Sequence, residues 1–406
     1  MKKLVICFVV AGAFMSQACK KGNEETSPAL TQTEQNRNKV LIGYSTLVSA
    51  TYDDAVITAD ALQTKLKAFV ASPSDQTLDD AKGAWIAART VYSQTETCRF
   101  FIDPKSPIEQ IEGAINSWPL SENYIDYVEG DPSAGIINSK TFGVINTETI
   151  FAANQNGAEE NVACGYHAIE FLLWGQDLSD TGPGERPFTD YVLTADSTHS
   201  NPKRRGDYLL AVADLLAQNL NTVANEWKPN ASNYRADFVK KGNDALLDIL
   251  RGMGDYGKGE LSGQRMSVAL NGNHDDLGNG VNSQEDEQSC FSDQTHNDIY
   301  FGQKGIANVY KGNYITVGGF TIDVYSVEDM LKVIDGNLNT TMLANYATTE
   351  EAAGLIVINN PFDQLIKFGN TTGNKYVQDT IDALRAQSDA LITVALKLTN
   401  SNLIIN

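Results

Sequence analysis

Histidine, cysteine and positive charge are all scarce in this 406-residue chain, and each shortage excludes something. Lysine and arginine total 31 against 51 aspartates and glutamates, a formal net charge of −20. A nucleic-acid binder needs a basic stripe, so no nucleic-acid partner is expected. Two of the five cysteines, Cys7 and Cys19, fall at the start of the chain. The other three, Cys98, Cys164 and Cys290, are odd in number and lack metal-ligand spacing. That excludes a disulfide framework and leaves one bridge among them open. Beyond the N-terminal region no apolar run is long enough to cross a bilayer, so the body is expected to be soluble. Alternating segments are nearly missing too. Only Tyr314 to Tyr325 reads as a short hairpin, and the chain is expected to be all-α.

What is present begins with a targeting signal. Met1-Lys2-Lys3 is a positive n-region, Leu4 to Met15 an apolar h-region, and Ser16-Gln17-Ala18 supplies small residues before Cys19. Residues 1–18 thus read as a lipoprotein signal peptide with Cys19 as the lipidated N-terminus. Residues 19–36, polar and charged, read as a flexible tether. The expected location is the cell envelope, lipid-anchored, at the outer membrane.

Apolar residues at helical spacing predict a long helix from Asn38 to about Ala71, broken by Ser72-Pro73-Ser74. A second, capped by Asp75 or Thr77, runs to about Phe100. Leu78, Ala81, Trp85, Ala88 and Tyr92 form its stripe, and Arg89, Glu96 and Arg99 lie within about 40° of the same side. Charges on a buried seam need partners. These three therefore either form a structural Arg–Glu network or meet carboxylates and ligand groups from elsewhere. Further helices are predicted over Asp207 to Trp227, over Asn233 to about Leu270 with glycine interruptions, and in three segments after Ser326. Lys228 to Ser232 separates two domains, 37–229 and 230–406.

The stretch Asn161 to Gly175 reads as a helix on which His167, Glu170, Phe171 and Trp174 share a face. Three residues is the spacing at which bundle helices offer Glu and His to one ion. The same spacing equally suits a core histidine satisfied by its neighbour. In the other half Ser292 is a fitting N-cap, and Asp293, His296 and Tyr300 share a face of the helix it would start. His199 and His274 lie in loop-like sequence and are expected in solvent. One imidazole and one acid from each half would then converge on one pocket. Such donors suit zinc, iron or manganese.

Gly165-Tyr166-His167-Ala168-Ile169-Glu170 resembles the Gly-x-His-x-x-Glu hallmark of the imelysin family. Trp85…Arg89…Tyr92…Glu96…Arg99, Glu112…Asn116-Ser117-Trp118-Pro119, Ser289 to Asp298, and Gly305 to Tyr314 are similar to its supporting segments. The resemblance implies two four-helix-bundle-like domains related by a degenerate internal duplication, with the motif in the cleft between them. It also implies either an envelope metallopeptidase or a component of iron uptake. A zinc peptidase needs about three protein ligands, an open position and a base. His-Glu-x-x-His is absent, and Phe171 stands where the inverted motif would place its second histidine. If the chain cleaves peptides, Glu170 and Glu112 are the catalytic candidates. As a binder it would hold a metal, iron ahead of zinc, or an iron-containing ligand. His167, Glu170, His296 and Asp293 are then the ligands, and Arg89, Glu96, Arg99, Trp118, Ser292 and Tyr300 support the cleft. An envelope transporter would receive the cargo. A third reading is a partner-binding scaffold without catalysis.

Overall fold

A computed structural model describes residues 30–99, 103, 105–109, 111–179, 181–271 and 286–406. The signal peptide, Cys19 and His274 lie outside the described residues. The first helix, α1 (Gln32–Ala71), starts earlier than its apolar spacing predicts. Thr31 and Glu34 form a capping box there, with Glu34 accepting from the Thr31 backbone at 2.7 Å. The last residues of the expected tether are therefore helical. The second helix, α2 (Asp75–Ser93), is capped by Ser74, with Thr77 closing the box. It stops short of Phe100, and Glu96 sits in a separate 3-10 turn, Glu96–Cys98.

The hallmark helix is short: α3 spans Tyr166–Trp174 between Gly165 and Gly175. It packs against α2 and against α4 (Pro202–Glu226), and α1 packs on both of those. Pro202 at the first turn of α4 costs no backbone hydrogen bond, because that turn has none to lose.

In the second half the single helix predicted from Asn233 is divided. Tyr234–Lys240 stands apart, α5 covers Asn243–Asp255, and Tyr256–Ser267 is wound as a π-helix. Three longer helices follow, α6 (Thr295–Lys311), α7 (Gly336–Ile358) and α8 (Thr371–Thr399), with α8 packed on α7, α5 and the π-helix. The hairpin is present as β1 (Asn313–Ile315) and β2 (Thr321–Asp323), antiparallel with Tyr314 opposite Ile322. Asp54 of α1 anchors it, accepting from the Tyr314 hydroxyl at 2.7 Å and the Val317 backbone at 2.8 Å.

The halves are joined rather than strung together. One continuous apolar core runs through both. α6 lies on α2 so closely that a Cβ on Gly305 would stand 2.5 Å from the Gln94 carbonyl oxygen. Cys98, Cys164 and Cys290 are all buried, and no disulfide joins them. Among the described residues no helix is long and apolar enough to cross a membrane. The fold is all-α, as its near lack of alternating segments predicts.

Candidate ligand-binding site between the two halves

The seam between α2 and α6 is held by buried charge. Glu96 is wholly buried and receives Arg265 from the π-helix through two contacts of 2.9 and 2.5 Å. Arg99 stands 3.7 Å and Arg89 3.9 Å from the same carboxylate, and the Asn116 amide donates to it at 3.0 Å. Arg89 in turn donates to Asp298 of α6 at 2.8 Å, and Asp298 also accepts from Ser93 and Ser289. Each half thus supplies an acid to the other half's guanidinium. Burial works to raise the Glu96 pKa, but Arg265, then Arg89 and Arg99, pull it down to about 2. The charges on the α2 stripe are a structural network. Its key partner, Arg265, lies in a glycine-rich stretch that carries no motif pointing to it.

The hallmark glycine seats its helix. Gly165 has φ +95°, and a Cβ there would stand 2.5 Å from the Ile115 carbonyl oxygen, the same atom that accepts from the Tyr166 backbone at 2.8 Å. Gly165→Ala is expected to destabilise the fold by about 1–3 kcal/mol, through strain at positive φ and the displaced contact. A shift of the urea midpoint at unchanged slope would check it.

His167 and Glu170 are fully buried and paired, with Nδ1 and Oε2 2.8 Å apart. The other Glu170 oxygen accepts from both the backbone and the hydroxyl of Ser292, at 3.0 and 2.6 Å. Ser292 is therefore no N-cap. α6 begins at Thr295 behind Gln294, and Ser292 ties the hallmark helix to the opposite half. Burial, more than neighbouring charge, holds the His167 imidazole neutral and pushes the Glu170 carboxyl well above its usual range. The Nε2 atom of His167 is buried without a hydrogen-bond partner, and the Trp118 ring lies 5.3 Å from the imidazole, centre to centre.

The other site candidates are placed less directly. His296 and Asp293 are both buried. Nδ1 of His296 has no hydrogen-bond partner among the described residues. Asp293 precedes α6 at φ +57°, and burial, then Asp363 and Asp177, push its carboxyl up to about 7. Tyr300 packs edge-on against Phe301. It is Ser292 that meets the hallmark pair. Among the described residues no three His, Cys, Asp or Glu side chains gather into a group able to hold a metal ion. His199 departs from its expected exposure: it bonds the buried Asp190 at 2.7 Å and stacks on Tyr127 at 3.9 Å.

In front of the hallmark pair lies a cavity of about 570 Å³. Arg99, Glu112 and Trp118 wall it from the first half, and Glu260, Gln264 and Arg265 from the second. Arg99 reaches Glu112 at 3.1 Å and Arg265 reaches Glu260 at 2.8 Å. His167 and Glu170 are not on the wall; Trp118, which packs on His167, is. A second cavity, of about 630 Å³, lies at the other end of α3, beside Trp174, Tyr127 and His199. The hallmark pair by itself does not fit a bare ion. Both Glu170 oxygens and one His167 nitrogen are committed to protein partners, which leaves one imidazole nitrogen where several convergent donors are needed.

Residues 48–391 match the family model described as Imelysin, Peptidase_M75. No curated protein matches the chain. The solved structures similar to it include the following two. One is a candidate iron-regulated protein A precursor from Parabacteroides distasonis, with 20% identity, TM-score 0.68, and 93% of this chain and 97% of that chain covered. The other is an imelysin-like protein from Psychrobacter arcticum, with 12% identity, TM-score 0.62, and 93% and 100% covered. At such identities the likeness is one of fold.

Proposed function

The chain belongs to the imelysin family, and from that premise we propose that it is a cell-envelope protein that binds iron, or an iron-containing ligand, in the cavity between its two halves. In this reading Cys19 carries the lipid anchor, and the cargo passes to a transporter. The observation that carries the proposal is the cavity itself, walled from both halves by aromatic, amide and charged side chains beside the hallmark motif. The iron in the printed description of one structural neighbour supports the choice of ligand. A peptidase would need a base with access to substrate and water. Glu170 is sealed in the interior with both oxygens taken, and Glu112, on the cavity wall, is paired with Arg99 at 3.1 Å, so a binding site asks less of these residues.

The test is iron retention by the full chain after dialysis against ferrous ion, ferric ion and ferric chelates. At least one species is expected to be retained near one equivalent. Gln264→Trp, at an exposed position of the wall, should weaken retention by tenfold or more by filling the cavity. No retained iron in any form, or chelator-sensitive cleavage of an unfolded substrate abolished by Glu170→Gln, would contradict the proposal.

A further inference from the structure

Resting on that reading, we infer that the cavity takes its iron already chelated, in a neutral or singly cationic complex of the ferric trihydroxamate kind, and not as a bare ion or an anionic chelate. The first reason is size. A volume of about 570 Å³ is that of an organic-ligand pocket. A bare ion needs donors drawn in to roughly 2.0–2.6 Å.

The second reason is the direction of the donors. The hallmark carboxylate is not free to grip an ion: Glu170 is occupied by His167 and by Ser292. The wall offers instead the exposed amides of Gln155 and Gln264 and the Trp118 ring. Spread over a wide surface, these groups can hydrogen-bond and pack on an organic shell, while the chelator itself fills the metal's coordination sphere.

The third reason is charge. Among the described residues the wall carries four carboxylates, Glu112, Glu159, Glu260 and Asp286, against two guanidiniums, Arg99 and Arg265. Those guanidiniums are already paired with Glu96, Glu112 and Glu260. The chain as a whole adds a formal charge of −20. A ferric ion with three hydroxamates, each carrying one negative charge, is neutral, and an amine on the chelator makes it cationic. With three doubly charged catecholates it is strongly anionic, and haem brings two propionates. A cleft of one sign in low-dielectric walls favours the opposite or neutral charge.

The experiment is equilibrium dialysis of the full chain against a ferric trihydroxamate, a ferric tricatecholate and ferrous ion, with bound iron read by elemental analysis. The trihydroxamate is expected to bind at least about tenfold tighter than either of the others. Glu159 and Asp286 lie on the wall in contact with solvent. Glu159→Lys with Asp286→Lys turns the wall from a formal excess of two negative charges to two positive. The preference over the tricatecholate should then shrink by about tenfold or invert, at an unchanged urea midpoint. Equal or tighter binding of the tricatecholate or the bare ion by the parent, or an unchanged preference in the double variant, overturns the inference and leaves the iron-binding function standing. Retention of none of the three overturns this inference; the function itself fails only if the ferric ion and other ferric chelates are not retained either.

Discussion

Glu96→Ala should lower the stability of the fold by about 3–5 kcal/mol, the cost of breaking a buried ionic network by removing one partner. Glu96 is shared by Arg265, Arg89 and Arg99, of which Arg89 and Arg265 are almost wholly buried. Alanine leaves three guanidiniums around an empty position, whereas Glu96→Gln keeps hydrogen-bonding shape and loses only charge. The alanine loss should therefore exceed the glutamine loss. Acid should reproduce it in the parent. The guanidiniums around it hold the folded carboxyl down at about 2, below its ordinary value of 4.5, so protons favour the unfolded chain. The stabilisation is present above about pH 4.5 and is lost as the pH falls through the folded value. Urea midpoints measured between pH 7 and pH 3 should fall steeply for the parent and less steeply for Glu96→Gln. A loss below about 1 kcal/mol for the alanine variant would show that the seam does not depend on this carboxylate.

Glu170→Ala is the second large effect. It strips a partner from three buried donors or acceptors at once: the His167 imidazole, the Ser292 backbone and the Ser292 hydroxyl. Leaving a buried polar group unsatisfied costs about 1–3 kcal/mol, so a total of about 3–5 kcal/mol is expected with some relaxation. Glu170→Gln can still accept from Ser292 and should cost about 1 kcal/mol. Denaturant unfolding of both variants separates two roles. A carboxylate kept only for catalysis or for a metal would leave stability unchanged on removal. One that ties α3 to the segment before α6 would not.

Much of this was legible from local pattern. The stripe through Trp85, Arg89 and Tyr92 marks the buried side of α2, and the pairing of His167 with Glu170 follows from their spacing. The all-α class follows from the near absence of alternation. Contacts made by folding distant segments together leave no such mark. Arg265 sits among glycines that read only as interruptions, yet it closes the ionic network. Ser292 has the chemistry of a cap, but Glu170 lies nearby in space and takes both of its donors. His199 lies in a loop whose path, not composition, brings it to Asp190 and Tyr127. That Trp118 stands on the cavity wall while the hallmark pair lies behind it is likewise a matter of packing.

The most direct test is an anomalous difference map, recorded at the iron edge, from crystals of the full chain grown with a ferric trihydroxamate. A single iron peak is expected inside the cavity bounded by Arg99, Trp118 and Arg265, too far from protein donors for direct ligation. A peak bonded to His167 and Glu170, a peak in the cavity beside Tyr127 and His199, or no peak at all would contradict it.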